Sequence, residues 1–223
     1  MSDRLSPGLL IQAYSRGLFP MAESRDDPRL FWVDPEERGV LPIDGFHVPR
    51  RLRRTVKQDR FRVTHDLAFE QVIQSCSELD QRRGRFDSWI NIEIVRAYVQ
   101  LFQLGHAHSI ECWHDGKIVG GLYGVSIGGA FFGESMFSIA TDASKVALVH
   151  LVARLRAGGY RLLDSQFVND HLKQFHIRCV PKEEYLVELA QALPLHADFE
   201  HVPMGTDGTT MLGLLDAPRH AAP

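Results

Sequence analysis

The sequence predicts an α+β fold, and three observations carry that prediction. Apolar residues recur at helical spacing on both sides of a central stretch, 108–138, in which the period falls to two. Within that stretch Asp115-Gly116 and Gly128-Gly129 are turn signals that divide it into three strands of an antiparallel meander. A further alternating segment, 160–168, follows the next helical run, so the sheet is mixed, mainly antiparallel, and flanked by helices. The chain has 223 residues, a formal net charge of −3 and 44% hydrophobic residues. That suits one large domain or a domain with a small companion, and excludes disorder, collagen and coiled coil.

Ser6 caps a first helix and Pro7 takes its first position; Leu9, Leu10, Ala13 and Tyr14 follow at helical spacing before Gly17 stops it. A loop rich in Pro, Asp and Arg is expected from Phe19 to Gly39, with Phe31-Trp32 inside it, and a short strand at 40–46. Thr64 is placed as the cap of a helix carrying Leu67, Phe69, Val72, Ile73 and Cys76. Another helix spans 91–104, with Gly105 as its C-terminal stop. After the meander, Thr141-Asp142 opens a helix to Arg156, and Pro181 opens a last one through Leu186, Leu189 and Leu193. The tail after Pro203, with Gly205 and Gly208, reads as mobile.

No apolar run approaches the about eighteen residues of a membrane span, and the start lacks a secretory signal. Cys76, Cys112 and Cys179 are far apart and form no CxxC pair, which disfavours a disulfide framework or zinc ribbon and fits a reduced cytoplasmic setting. The charge is unevenly spread. Arg50, Arg51, Arg53, Arg54, Lys57, Arg60 and Arg62 are opposed only by Asp59, and Arg82, Arg83 and Arg85 form a second basic knot. Most charge runs are solvated faces, but this one, in a net acidic chain, reads better as a footprint for a phosphate backbone. Trp32 and Trp89 lie near these segments in sequence and could stack a base; burial is the usual alternative.

The segment 131–138, Phe-Phe-Gly-Glu-Ser-Met-Phe-Ser, is odd for a plain strand. Glu134 stands among aromatics and Met136, beside a glycine that permits a bulge. A buried carboxylate needs a partner or a ligand, so this is either a salt-bridged or solvent-facing acid, or a pocket for an apolar amino-acid side chain with the acid toward an ammonium. In the strand 160–168, period two puts Asp164 and Gln166 on one face, where a carboxylate and an amide can orient an attacking amine. Asn169-Asp170-His171 follows as a strand-end site or a helix cap. His106 and His108 lack a third ligand at motif spacing and read as structural; Ser135 and Ser138 lack a recognisable triad, and the paired glycines are neither GxGxxG nor a P-loop.

Read together, Ala13-Tyr14-Ser15-Arg16-Gly17-Leu18-Phe19-Pro20, Trp89-Ile90, Leu104-Gly105-His106-Ala107-His108-Ser109-Ile110-Glu111, Val119-Gly120-Gly121-Leu122-Tyr123-Gly124-Val125, Phe132-Gly133-Glu134-Ser135-Met136-Phe137-Ser138, Ala143-Ser144-Lys145 and Asp164-Ser165-Gln166 closely resemble the bacterial leucyl/phenylalanyl-tRNA–protein transferases, in order and over nearly the whole chain. The resemblance implies a small N-terminal domain, 1–38, and a GNAT-like acyltransferase domain, 39–223. It implies a cytoplasmic, monomeric enzyme that moves leucine or phenylalanine from tRNA to the N-terminal Lys or Arg of a protein, marking it for N-degron proteolysis, with no acetyl-CoA, no metal, no DNA and no membrane. By motif match, Phe131, Gly133, Glu134 and Met136 line the aminoacyl pocket with Leu151 behind it. Trp89 meets the terminal adenosine of the tRNA, Asp164 and Gln166 sit at the reacting centre, and the 50–62 run holds the tRNA body. The sequence departs from the pattern at Met21, where a tryptophan is common at the adenosine site, at Leu151, where an aromatic is common, and upstream of Leu5-Ser6-Pro7, where a Gly-Gly-Asp-Leu stretch is missing. A CoA-dependent N-acyltransferase, a non-catalytic tRNA-binding adaptor and a transferase for acidic N-termini are the rival readings; Ile139-Ala140-Thr141-Asp142 is not the glycine-rich turn that CoA would need.

Overall fold

A computed structural model describes residues 5–82 and 88–218 of the chain. Seven strands form one mixed sheet in the order β4-β5-β6-β7-β8-β3-β9. In chain order these are β3 (Glu37–Leu41), β4 (Arg62–His65), β5 (Ala107–His114), β6 (Lys117–Ile127), β7 (Ala130–Ser138), β8 (Leu162–Asp164) and β9 (Arg178–Pro181). Every neighbouring pair is antiparallel except β7 and β8, which run parallel. The meander β5-β6-β7 falls where its two glycine turns place it, with Gly116 and Gly128 in the left-handed region (φ 72° and 57°).

Each face of the sheet carries its own core. One is built with α2 (Arg50–Lys57), α5 (Ala143–Ala157) and α8 (Gly208–Asp216), and its centre is α5, buried almost all round. The other packs α1 (Pro7–Tyr14), α3 (Phe69–Arg82), α4 (Ile92–Gln103) and α7 (Lys182–Ala192) on the opposite face. The cap expected at Ser6 is made, its hydroxyl accepting from Leu9 N–H, and at the start of α4 Asn91 Oδ1 accepts from Ile94 N–H at 2.9 Å. A one-turn helix, α6 (Asp170–Lys173), bridges β8 and β9.

Four expectations need correction. Residues 19–39 are not a loop: β1 (Phe19–Ala22) and β2 (Leu30–Val33) form an antiparallel ribbon with Met21 opposite Phe31, and a two-stranded ribbon tolerates Pro20 where a central strand would not. The strand expected at 40–46 lies at Glu37–Leu41. Thr64 is a strand residue and not a cap; its hydroxyl donates to Glu111 Oε2 and accepts from Trp113 Nε1, and the chain turns only at Asp66 (φ 55°) before α3. The tail is not mobile through 208–216: Asp207 caps α8, whose Met211, Leu212 and Leu215 are buried against the first core. Arg82 ends α3, while Arg83 and Arg85 of the second basic knot lie outside the described residues.

Candidate active site

The site forms because β7 and β8 part. They pair from Ala130↔Leu162 to Phe132↔Asp164 and no further. On β7 a bulge follows at once: Gly124 faces Gly133 and Tyr123 faces Ser135, so Glu134 is the extra residue without a ladder partner. Gly124 is required here, since a Cβ would lie 2.3 Å from Phe132 O. On the other side β8 ends after Asp164, because Gln166 takes a left-handed backbone (φ 57°) and turns the chain away. The strand expected at 160–168 is therefore only Leu162–Asp164, and Gln166 lies beyond it.

The gap is a cleft of about 480 Å³. Gly133, Glu134 and Met136 form its β7 wall, Leu148 and Leu151 of α5 its apolar floor, Ser165, Asn169 and His171 its far rim, and Trp89 stands at its edge. Most of the residues expected to line an aminoacyl pocket thus meet there. Phe131 does not: it is fully buried in the core, stacked on Phe199 with centroids 5.8 Å apart. Phe131 lies where β7 is still paired with β8, opposite Leu163 and ahead of the parting that opens the cleft. Met21 is not among the lining residues either; it packs half-buried on the second core, near Trp89, whose carbonyl accepts from Ala22 N–H.

Glu134 has no cation bonded to it among the described residues. Tyr14 Oη lies 2.6 Å from its Oε1 and Tyr98 Oη 3.2 Å from its Oε2, and the two tyrosine hydroxyls are themselves hydrogen-bonded. Burial pushes the Glu134 carboxyl up to about 8, against the pull of the two tyrosine hydrogen bonds.

Asp164 is fully buried, and its oxygens are occupied. Arg38 donates through Nε and Nη2 (2.8 Å for the latter), Tyr185 Oη at 2.8 Å and Gln166 N–H at 2.8 Å. Arg38 also donates to Gly17 O, and its guanidinium lies between the rings of Phe19 (4.9 Å) and Tyr185 (4.4 Å). Neither Asp164 nor Gln166 is among the residues lining the cleft; both lie buried behind its rim, and Gln166 Nε2 finds no hydrogen-bond partner among the described residues. Arg38, Tyr185, Tyr14 and Tyr98 escape a sequence reading. They come from elements up to 126 residues away, and nothing local marks them.

Arg50, Arg51, Arg54, Lys57, Arg60 and Arg62 are exposed, whereas Arg53 is half-buried and paired with Asp216 at 2.6 Å. Outside the lining of the cleft, ligand atoms of Asp66, His108 and Glu200 lie within 4.8 Å of one another, close enough to hold a metal ion. The geometry has another explanation: His108 bonds Asp66 and stacks on Phe199, His65 bonds Glu200, and both carboxylates act on buried Arg154.

The model of the leucyl/phenylalanyl-tRNA protein transferase family matches residues 40–190, and that of its N-terminal domain residues 3–36. The chain is 57% identical over 196 residues to the leucyl/phenylalanyl-tRNA–protein transferase of Paramagnetospirillum magneticum, covering 88% of this chain and 93% of that one. It is 54% identical to that of Maricaulis maris (91% and 93% covered) and 53% identical to that of Caulobacter vibrioides (95% and 97% covered). With its two family matches meeting at the start of β3 and its relatives aligned along almost their full length, this chain belongs to the leucyl/phenylalanyl-tRNA–protein transferase family.

Proposed function

We propose that the protein transfers leucine or phenylalanine from aminoacyl-tRNA to the N-terminal Lys or Arg of acceptor proteins, in the cytoplasm, as a monomer, and so commits them to N-degron proteolysis. The observation that carries this reading is the apolar cleft at the parting of β7 and β8, with one carboxyl in its wall and Trp89 at its edge. We read the parted sheet as a GNAT-type acyltransferase arrangement, with 1–38 as a small N-terminal domain and 39–223 as the catalytic one. Leucine or phenylalanine fits against Met136, Leu148 and Leu151, with its α-amine toward Glu134. Trp89 stacks on the terminal adenine, Met21 borders it, and the exposed cations of 50–62 hold the tRNA body without reading sequence.

The ester is already activated, so catalysis rests on positioning and on stabilising the tetrahedral intermediate. The acceptor's α-nitrogen attacks the ester carbonyl carbon, the carbon–oxygen bond to ribose breaks, and the ribose oxygen takes the proton that the amine gives up. Asp164 is ill placed to receive that proton, because Arg38, Tyr185 and Gln166 N–H fill its oxygens. Its role in this reading is positioning: it anchors the Gln166 backbone, and the unpartnered Nε2 of Gln166, buried behind the rim, comes to the acceptor or the developing oxyanion when that rim shifts on substrate binding. The adjacent hydroxyl of the donor ribose then passes the proton on.

The test is to incubate the protein with radiolabelled Leu-tRNA or Phe-tRNA and peptides beginning with Arg, Lys, Asp or Ala. Label should move into the Arg and Lys peptides alone. Label that stays on the RNA with every acceptor would overturn the reading, and transfer to Asp peptides would redraw the acceptor class.

A further inference from the structure

Glu134, Tyr14 and Tyr98 close a ring of three oxygen-to-oxygen contacts: Tyr14 to Oε1, Tyr98 to Oε2, and tyrosine to tyrosine. Counting protons decides the charge of that ring. Three hydrogen bonds need three protons, and two phenols supply two. With an ionised Glu134 one contact is left without a proton: tyrosine to tyrosine if both phenols donate to the carboxylate, or Tyr98 to Oε2 if Tyr98 donates to Tyr14. A protonated Glu134 supplies the third: Oε2–H to Tyr98, Tyr98 to Tyr14, Tyr14 to Oε1.

The surroundings point the same way. Besides the two phenols from α1 and α4, the titratable groups acting on Glu134 are Asp164 of β8 and Arg38 of β3, while Tyr123 of β6 and Tyr185 of α7 feel its charge in turn. Arg38 is committed to Asp164, so the pair presents little net charge. The Tyr123 hydroxyl finds no hydrogen-bond partner among the described residues. The two phenol hydrogen bonds and Arg38 favour the carboxylate, but burial outweighs them and lifts its titration to about 8.

We infer that Glu134, held in its ring by Tyr14 and Tyr98 as positioning residues, is a neutral acid in the unliganded cleft, and that the donor's α-ammonium displaces the ring proton on binding. The inference rests on the donor reading above. No covalent bond between heavy atoms changes: Glu134 releases its proton to solvent, and a carboxylate–ammonium pair replaces the neutral ring. The sign for stability follows. A carboxyl that titrates at about 8 when folded and at ~4.3 when unfolded binds more protons in the native state across that window, so stability falls as pH rises through it.

Glu134→Gln is the informative variant, because its amide offers an oxygen to Tyr14 and an N–H to Tyr98 and so copies the neutral ring without being able to ionise. Its Tm should match that of the parent protein below about pH 4, exceed it increasingly as pH rises toward about 8, and keep a constant excess above that. A lower Tm at every pH, or failure to fold, would mean that the native ring is built on a carboxylate, and the inference falls. The second measurement is calorimetry at pH 6.5, in two buffers of different ionisation enthalpy, with phenylalanine amide-linked to 3′-amino-3′-deoxyadenosine. The parent should release close to one proton on binding and the glutamine variant none; no release from the parent overturns the displacement. The transfer assay separates the two failures. A flat Tm difference with transfer intact removes the ring alone, whereas the expected Tm difference with no transfer from aminoacyl-tRNA removes the donor reading and the ring's part in it.

Discussion

Asp164 and Gln166 lie two residues apart in the chain but in different circumstances. Asp164 is half of a buried ion pair with Arg38, and removing one member of such a pair strands the other charge at a cost of about 3–5 kcal/mol. Gln166 has an unpartnered amide on a left-handed backbone, two features that cost stability where they stand. The two residues should therefore separate in experiment. Asp164→Ala should lower the urea midpoint sharply as well as the rate, so its activity loss does not identify a base. Gln166→Gly should leave the midpoint no lower than the parent's while transfer falls at least tenfold, about 1.4 kcal/mol of barrier. A Gln166→Gly enzyme with parental rates would take the amide out of the mechanism. The sequence made both residues visible, because polar side chains inside Leu162-Leu163 and Phe167-Val168 are conspicuous. It did not reveal Arg38, whose partner is 126 residues away, and so it could not tell a free carboxylate from an occupied one.

At the scale of elements, period and punctuation made the meander legible almost to the residue: β6 and β7 span the stretches that the two glycine turns delimit. Backbone devices of single residues were legible only in part. The end of β8 at Gln166 and the turn at Asp66 each depend on one left-handed residue that no periodicity announces, whereas the bulge at Glu134 was signalled by its neighbour Gly133. The basic run shows the same division. Its charge was plain, but that α2 spends one of those charges on its own fold was not: Leu52 and Val56 face the core, Arg53 reaches Asp216 of α8, and Arg50, Arg51, Arg54 and Lys57 remain in solvent. Replacing Arg50, Arg51 and Arg54 by Gln should weaken tRNA binding and flatten the slope of log K against log salt by roughly 0.9 for each phosphate left without its cation. Arg53→Gln should leave that slope nearly unchanged and instead lower stability. Filter binding between low and physiological salt reads both; equal slopes in the triple variant and the parent would reduce the run to a solvated face.

For the molecule as a whole, the cleft lies at the edge of the first core, and α8 locks that core from behind. Its first residue touches α2 closely enough that a Cβ on Gly208 would lie 2.2 Å from Val56 O; Gly208 N–H donates to Asp59 Oδ1 at 2.7 Å, and Asp216 holds Arg53. Met211, Leu212 and Leu215 then bury against α5, the helix whose Leu148 and Leu151 floor the cleft. One terminal helix thus supports both the basic face and the pocket. Ending the chain at Asp207 removes three buried side chains, and at about 1.5–3 kcal/mol each the loss is comparable to the whole stability of an ordinary domain. Gly208→Ala is the gentler probe. It leaves every basic residue and every cleft residue in place, yet forces α2 and α8 apart. It should lower Tm, weaken tRNA binding, and raise KM for aminoacyl-tRNA more than it lowers kcat, because the grip is loosened while the reacting groups stay where they are. If Gly208→Ala lowered Tm with KM unchanged, α2 would not depend on α8 for its place against the tRNA. The basic face would then stand on its own two buried residues, Leu52 and Val56.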